Sequence, residues 1–226
     1  MNKARNFIHH DYPVLKQINS KSGRFYTIEG SSNESAFKYP SVTSVVGILN
    51  KQAILEWRRR VGEEEANRVS ARASGRGTRI HSLCENYLKG EDYDLGLMDK
   101  EVFSSMIPEL DKIDNIHALE QRLFSHRLRV AGTVDAIANY NGTLSVIDFK
   151  TSKRVKSRDE ISSYFLQTAA YSYMFYEMTG LLASQLVIIM GVDGEKESLV
   201  FIEKSKDWLD QFIDVRQTYR ELYEKV

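Results

Sequence analysis

An Asn-Gly pair between two alternating apolar runs is the feature that most constrains the fold of this chain. Asn141 and Gly142 separate a segment that ends at Tyr140 from one that begins at Thr143. Asn-Gly is a preferred two-residue connection of an antiparallel hairpin, because both residues tolerate the positive φ of a type I′ turn. The turn therefore predicts which residues face each other along both strands.

The predicted register brings two acidic residues face to face. Continuing the ladder from the turn places Asp135 opposite Asp148, and directly opposed like charges destabilise a hairpin unless a cation lies between them. Lys150 lies two residues beyond Asp148, so strand alternation puts it on the same face. This arrangement suits phosphodiester hydrolysis, in which a cation held by oxygen ligands activates water and lysine stabilises negative charge. The alternative is an ordinary hairpin with surface carboxylates and a solvated lysine.

Periodicity and capping residues predict an α/β chain. The predicted strands are Phe25–Glu29, Phe37–Tyr39, Leu119–Phe124, Leu128–Tyr140, Thr143–Lys150, Leu186–Val192 and Ser198–Ile202. The predicted helices are one from a Ser41 or Thr43 cap to about Asn50, then Ile54–Ala73, Thr78–Leu88, Asp99–His117 interrupted at Pro108, Asp159–Met178 ending at Gly180, and Trp208–Tyr223. This order indicates a mixed central β-sheet flanked by helices, with the N-terminal helices as a wall or arch over the site.

Four sequence elements resemble those of the PD-(D/E)XK nuclease superfamily, in its RecB-like branch, and occur in the same order. They are G-x-x-x-H-x-x-x-E in Gly77-Thr-Arg-Ile-His81-Ser-Leu-Cys-Glu85, then G-x-h-D and h-D-h-K-T, with h an apolar residue, in GTVDAIANYNGTLSVIDFKTSK from Gly132, and Q-x-x-x-Y in Gln167-Thr-Ala-Ala-Tyr171. Within the branch, the resemblance is nearest to the mitochondrial genome maintenance exonucleases and their phage-type relatives, which also share the Pro-Ser-Val-Thr start at Pro40. It implies a restriction-endonuclease-like core.

The resemblance also implies roles for the matching residues. Asp135 and Asp148 would be metal ligands, the backbone carbonyl of Phe149 a third, and Lys150 the catalytic lysine. His81 would be a further metal ligand, and its alternative is a helix histidine hydrogen-bonded in the core. The implied cofactor is Mg²⁺ or Mn²⁺.

Further residues have less specific signals. Glu120 opens the predicted strand Leu119–Phe124, where similar enzymes place an acidic residue beside the metal; a plain strand-end glutamate is the alternative. Gln167 and Tyr171 lie one helical turn apart and share a face. In the family this glutamine reaches the active site, and Tyr171 is then expected to contact DNA. The alternative is that this face is simply the apolar side of an amphipathic helix.

Charge is segregated along the chain although the net charge is zero. Seven arginines and three glutamates occur between Arg58 and Arg79, and residues 150–158 hold five basic residues and no acid, whereas residues 91–114 hold eight acids and two lysines. Such segregation predicts a basic face for a phosphate backbone. The DNA contacts expected on it are Arg58, Arg76, Arg79 and Lys153, with Trp57 stacking on an unpaired base. The alternatives are solvated helix faces and a core tryptophan.

Chain length and composition limit the possible domain organisation. With 226 residues, 42% of them hydrophobic, the chain is expected to form one nuclease domain, in which residues 1–117 are mainly helical with a small hairpin and residues 118–226 form the catalytic α/β core. The lone Cys84 excludes a disulfide framework and a four-cysteine iron–sulfur cluster. No phosphate-loop motif occurs, so a helicase, polymerase or recombinase partner would be a separate chain.

Targeting signals are absent from the given sequence. No apolar run approaches the roughly 18 residues of a transmembrane helix, so no membrane association is expected. Neither a signal peptide nor a transit peptide is evident. The cytoplasm of a bacterial or phage-infected cell is therefore expected, rather than the mitochondrial matrix.

Together these features predict a metal-dependent DNA exonuclease that prefers single-stranded ends and serves replication, repair or recombination. An endonuclease on the same core and a non-catalytic DNA-binding subunit of a recombination complex are the alternatives. The presence of Asp135, Asp148 and Lys150 together counts against the non-catalytic subunit.

Overall fold

The computed structural model describes residues 4–20, 23–28 and 37–224. Its strands are β1 Leu15–Ser20, β2 Gly23–Ile28, β3 Phe37–Pro40, β4 Ile113–Ser125, β5 Val130–Tyr140, β6 Thr143–Ser152, β7 Gln185–Val192 and β8 Leu199–Lys204. Its α-helices are α1 Val42–Val46, α2 Lys51–Val61, α3 Glu63–Lys89, α4 Lys100–Leu110, α5 Ser162–Thr179 and α6 Leu209–Tyr223. Short 3₁₀ turns at Gly47–Asn50, Asp159–Ile161 and Ser205–Asp207 join some of them.

A five-stranded mixed sheet in the order β4-β5-β6-β7-β8 forms the centre of the fold. Only β6 and β7 pair in parallel, and α5 makes the crossover between them. Helix α5 covers one face of the sheet, and α3 and α4 cover the other. The predicted mixed sheet flanked by helices is therefore confirmed. No helix in the described part of the chain is both long and apolar enough to cross a membrane.

A separate three-stranded sheet, β1-β2-β3, packs near the β4–β5 turn. Buried Leu15, Tyr26 and Tyr39 contact Ala131 of β5 there. The predicted hairpin corresponds to β2 and β3, which pair antiparallel, whereas β1 was not predicted. Glu29 and the predicted turn that follows it lie outside the described residues. Ser41 caps α1 by accepting a hydrogen bond from Ser44 N, as predicted.

The predicted break between two helices after Ala73 is wrong, because α3 continues through that region. Glycine lowers helix propensity by about 1 kcal/mol relative to alanine, but α3 buries Ile80, Leu83, Cys84, Tyr87 and Leu88 against the sheet and α4. That burial outweighs the local preference of Gly75 and Gly77. The chain is instead interrupted at Gly62, where φ is 87°.

The predicted helix Asp99–His117 is also too long. Helix α4 ends at Leu110 with Pro108 inside it, and β4 begins at Ile113. Ile113 and Ile116 are fully buried, and Ile113 pairs with Tyr140 of β5. Sheet pairing and burial at these residues override the helical pattern. The strand was predicted to begin only at Leu119.

Candidate metal centre

The predicted hairpin and its register are confirmed. Asn141 and Gly142 have φ values of 49° and 81°, as a type I′ turn requires. The paired ladder runs from Tyr140 with Thr143 to Ala136 with Ile147. The two acidic residues, Asp135 and Asp148, each lie one position beyond the last pair.

Both carboxylates are buried, so neither is the surface group of an ordinary hairpin. Asp135 Oδ2 accepts a hydrogen bond of 2.8 Å from the backbone N–H of Phe149. Asp148 Oδ1 accepts hydrogen bonds from Lys150 Nζ at 2.5 Å and from Gln167 Nε2 at 3.1 Å. Asp148 Oδ2 is buried and has no hydrogen-bond partner. Thus one carboxylate oxygen in the site is left without a donor.

The charges of this cluster respond to burial and to one another. Burial, assisted by the Asp135 charge and opposed by Lys150, raises the pKa of Asp148 to about 6. Burial also tends to raise the pKa of Asp135, but His81, Lys150 and the Phe149 N–H outweigh it and lower that pKa. For Lys150, burial tends to lower the pKa, but the two carboxylates outweigh it and raise it. The lysine is therefore a buried ammonium at neutral pH.

His81 approaches this cluster from α3. Its Nδ1 lies 3.4 Å from Asp135 Oδ1 and 3.8 Å from Glu120 Oε1. Burial tends to lower the pKa of His81, but the two carboxylates outweigh it and raise that pKa to about 10. Ligand atoms of His81, Glu120 and Asp135 all lie within 4.8 Å of one another. The nearby Glu85 instead pairs with Lys89 at 2.7 Å.

Glu120 lies within β4 rather than at its start, which corrects the sequence prediction. Its neighbours Leu119 and Gln121 pair with Ala136 and Val134, so Glu120 lies across from Asp135. Its φ of 48° is uncommon for a residue other than glycine. Backbone strain of this kind concentrates at functional sites. The strained residue is here the one that brings a third carboxylate to the cluster.

The donor set fits a divalent cation. Carboxylate oxygens are the ligands that Mg²⁺ and Mn²⁺ prefer, and one imidazole is compatible with a transition metal such as Mn²⁺. The unpartnered Asp148 Oδ2 is an acceptor that such an ion would satisfy. Asp135 and Asp148 lie on adjacent strands, each one position beyond the pair Ala136 and Ile147. The carbonyl of Phe149 lies 3.5 Å from Lys150 Nζ, which donates to it.

The side chains of helix α5 differ in whether they reach the carboxylate site or pack in the core. Gln167 reaches Asp148 as expected, and the Tyr164 ring centroid lies 5.1 Å from Lys150 Nζ. Tyr171 is buried, and its hydroxyl packs against Gly132, where an added Cβ would lie only 2.6 Å from it. The predicted DNA contact by Tyr171 therefore has no exposed surface, because the ring fills the space beside Gly132.

Two arginines expected to bind DNA are engaged in ion pairs. Arg76 pairs with Asp193, which follows β7, and Arg79 pairs with Asp99 at 2.5 Å. The side chain of Arg76 is mostly buried, whereas that of Arg79 is half exposed. These contacts attach α3 to the segments beside it. The two guanidinium groups are therefore not free phosphate ligands in this arrangement.

The remaining residues of the predicted basic face lie on the surface. Arg58 bonds to Glu63 and to Asn67 Oδ1, the latter at 2.6 Å. Trp57 is half-buried on α2, a helix with no fully buried residue, so it is not a core tryptophan. Lys153 is exposed just beyond β6.

The contact between the small sheet and the carboxylate site was not predicted from the sequence. Tyr26 is buried, and its hydroxyl lies 3.2 Å from Thr133 Oγ1, two residues before Asp135. The charge of exposed Arg24 lowers the pKa of the Tyr171 hydroxyl, which burial raises more strongly. No local sequence pattern connects residues 24–26 with residue 133. The contact between the small sheet and β5 is therefore evident only in the folded structure.

Comparison with known proteins places the site in a family context. Residues 96–226, more than half of the chain, match the family described as the PD-(D/E)XK nuclease superfamily. The human protein named mitochondrial genome maintenance exonuclease 1 is 29% identical over 166 residues, and its mouse counterpart is 26% identical over 165 residues. These alignments cover 63% and 65% of this chain and 48% and 47% of the relatives, so the chain spans about half the length of the curated relatives it matches.

A solved structure also aligns with the chain. The crystal structure of SSO0001 covers 81% of this chain and 75% of its own, with 15% sequence identity and a TM-score of 0.44. The match of residues 96–226 includes the strands that carry Glu120, Asp135, Asp148 and Lys150. On that match, the chain belongs to the PD-(D/E)XK nuclease superfamily.

Proposed function

We propose that this protein is a divalent-metal-dependent DNA exonuclease that hydrolyses phosphodiester bonds at single-stranded ends. The main support for the proposal is that the two carboxylate oxygens of Asp148 have different surroundings. Its Oδ1 accepts from Lys150 and Gln167, while its buried Oδ2 has no partner. A buried carboxylate oxygen without a partner is costly, and a cation ligated there removes that cost.

The site residues divide into metal ligands and positioning groups. His81, Asp135, Asp148 and the Phe149 carbonyl would hold Mg²⁺ or Mn²⁺, with Glu120 beside them. When bound, such an ion lowers the pKa of a coordinated water and neutralises charge on the phosphate. Lys150, held by Asp148, donates to the oxyanion that develops on the scissile phosphate. Gln167 fixes the Asp148 carboxylate, so the ammonium keeps its position before substrate arrives.

The preference for single strands is supported by Trp57, which is half-buried on α2 and can stack on an unpaired base. A cavity of about 1000 Å³ lies between residues 7–15 and residues 116–122, and Glu120 lines it. The exonuclease names of the human and mouse relatives support cleavage from an end.

The test compares substrates that differ only in their ends. An end-labelled linear single strand, a closed single-stranded circle of the same sequence and the matching blunt duplex are incubated with Mg²⁺, Mn²⁺ or chelator. We expect the linear strand to be shortened to small products only with metal. The circle is expected to stay intact, and bulky adducts on both ends are expected to protect the linear strand.

The control variant is Lys150→Ala, which keeps the carboxylates and should abolish the products. Nicking of the circle at the rate of linear cleavage would replace the proposal with an endonuclease. Binding of all three substrates without cleavage under any metal would replace it with a non-catalytic subunit. Equal cleavage in chelator would overturn the metal dependence.

A further inference from the structure

A second, strongly basic cavity lies away from the carboxylate site. It has a volume of about 400 Å³ and lies between β3, the β4–β5 turn and α6. Four cationic side chains and one carboxylate line it: Lys38, Arg129, Arg216, Arg220 and Glu224. The cavity therefore carries an excess of three positive charges, which favours an anionic ligand.

Arg216 forms the buried base of this cavity and is held there by hydrogen bonds. It is 7% exposed, its Nε donates to Leu128 O at 3.1 Å, and its Nη2 donates to Arg129 O at 3.1 Å. These bonds hold the β4–β5 turn, in which Arg129 has a φ of 53°. The remaining nitrogen, Nη1, is buried without a hydrogen-bond partner. A buried guanidinium with an unsatisfied donor retains the capacity to donate to an anionic ligand.

The other three cations are available at the mouth. Lys38, Arg129 and Arg220 are exposed, and none of them has an ion pair with another residue in the described ranges. The Lys38 ammonium lies 4.5 Å from the ring centroid of Phe25, which orients it at the cavity. Three unpaired cations around one opening are an electrostatic cost that an anion would relieve.

Glu224 already occupies the anion position beside Arg216. Its Oε1 and Oε2 lie 2.9 and 3.0 Å from Arg216 Nη2. Guanidinium groups recognise carboxylate and phosphate with the same planar donor geometry. Glu224 follows the last residue of α6, Tyr223, so its side chain can leave without loss of a helical turn.

The cavity and the carboxylate site lie at two positions along one segment of the chain. Arg129, just before β5, precedes Asp135 by six residues, which is about 20 Å along an extended strand. Arg24 lies near β5 between them, because its carbonyl accepts a hydrogen bond from Ser41 N and Ser41 pairs with Ala131. Arg24 therefore adds one positive charge between the cavity and Asp135.

We propose that this cavity binds a backbone phosphate of the nucleic-acid strand within about six nucleotides of the scissile bond, because a stacked strand rises about 3.4 Å per nucleotide and an extended strand rises more. Glu224 takes the place of that phosphate when the strand is absent. The inference rests on the proposed function in taking nucleic acid as the ligand. It adds a second phosphate site, which makes binding depend on strand length.

The first experiment measures binding of fluorescent single strands of two and twenty nucleotides in chelator, by anisotropy. Arg129→Glu/Arg220→Glu should weaken the twenty-nucleotide complex at least about tenfold and lower the salt slope of log Kd by about one to two. The two-nucleotide complex, which is too short to reach from the carboxylate site to the cavity, should be unchanged. Lys204→Glu/Lys206→Glu makes the same change of net charge with exposed residues at the β8 edge, and it should have less than about a twofold effect.

The second experiment removes the competing carboxylate. Glu224→Gln should tighten binding of the twenty-nucleotide strand by about threefold or more, because one negative charge leaves the phosphate site. Glu221→Gln, the same change on the exposed side of α6, should have no effect. A structural ion pair alone would instead give lower stability of Glu224→Gln with no gain in affinity, and that result overturns the proposal.

Three outcomes separate this proposal from the nuclease assignment. If the basic double variant binds the long strand as its control does, the phosphate site is wrong, whether or not the wild type cleaves DNA. If inorganic phosphate alone stabilises the wild type and not the double variant, while DNA affinity is equal, the cavity binds a free anion and the strand assignment is overturned. If the length-dependent loss occurs without cleavage by the wild type, the phosphate site stands and the nuclease proposal fails.

Discussion

At the scale of single residues, the surroundings of Lys150 narrow its role. A buried ammonium stays charged here because two carboxylates outweigh its desolvation and raise its pKa. Its Nζ lies 2.5 Å from Asp148 Oδ1 and is therefore held in place before substrate binds. A preorganised donor of this kind stabilises charge that develops in the transition state without reorganisation.

Lys150→Ala should reduce the cleavage rate of single-stranded DNA by at least about a hundredfold, the order found for loss of one preorganised donor. Binding in chelator should change by less than about threefold, because one of several phosphate contacts is lost. Single-turnover kinetics and anisotropy measure the two effects. Lys206→Ala, at an exposed position beyond β8, is the control for charge, and equal rates for both variants would contradict the assignment.

A second prediction concerns His117, which stacks on His10 with ring centroids 5.1 Å apart and has its Nδ1 2.9 Å from His10 Nε2. This contact needs one nitrogen without a proton. Burial, and then the charge of His10, lower the pKa of His117. The folded state therefore binds fewer protons than the unfolded state, so its contribution is present above the ordinary histidine pKa and is lost as pH falls below it.

Urea unfolding at pH 7.5, 6.5 and 5.5 checks this expectation. The wild type should lose more free energy of unfolding between pH 7.5 and 5.5 than His117→Gln, which cannot titrate. His9→Gln, at an exposed position next to His10, should lose as much free energy of unfolding between pH 7.5 and 5.5 as the wild type. Parallel pH dependence of the wild type and His117→Gln would show that another group is responsible.

At the scale of secondary-structure elements, α5 and β5 meet at a position that only glycine permits. An added Cβ at Gly132 would lie 2.6 Å from the Tyr171 hydroxyl and 2.9 Å from its ring. Tyr171 is fixed by burial in the core beneath the sheet. The close approach holds the strand that carries Asp135 against the helix that carries Gln167. The glycine of the motif is therefore a packing requirement.

Gly132→Ala should lower the free energy of unfolding by about 1–3 kcal/mol, as overpacking does in well-filled cores. Tyr171→Phe removes the nearest atom, so the double variant should be more stable than the sum of the two single effects predicts. Thermal or urea unfolding of the four proteins provides the double-mutant cycle. Additive effects would mean that Gly132 and Tyr171 do not clash. Gly77→Ala, with open space at its Cβ, should not destabilise α3.

At the scale of the whole molecule, the residues of the proposed metal site come from different parts of the fold. His81 belongs to α3, Glu120 to β4, and Asp135 and Asp148 to β5 and β6. Binding of one cation would therefore tie a helix to three strands. Ligands that bind only the folded state stabilise it by mass action. The melting temperature is consequently a readout of the site that does not depend on cleavage.

Mg²⁺ or Mn²⁺ at a hundred times its Kd should raise the melting temperature by roughly 5–10 °C. Asp135→Asn and Asp148→Asn should remove most of this shift, whereas the exposed Asp210→Asn should keep it. If neither metal changes the melting temperature of the wild type, the proposed metal site is wrong.

Several features of the site were predictable because they depend on short-range rules. The Asn141-Gly142 turn sets the register of its own strands, and the two-residue period of a strand then puts Asp148 and Lys150 on one face. The one-turn spacing of Gln167 within α5 is also local. By contrast, the break predicted after Ala73 failed because glycine propensity is small compared with the burial along α3.

The sequence by itself determined the hairpin, its facing carboxylates and the lysine beside them, since turn chemistry and strand alternation act within a few residues. Only the tertiary structure decided that His81 and Glu120 meet Asp135, that Tyr171 is buried behind Gly132, and that Arg216 forms the base of a basic cavity. These residues are far apart in the chain, so their approach depends on how the helices cover the sheet. The physical reason is that burial and packing are properties of the whole fold, whereas the signals of turns and strands are local.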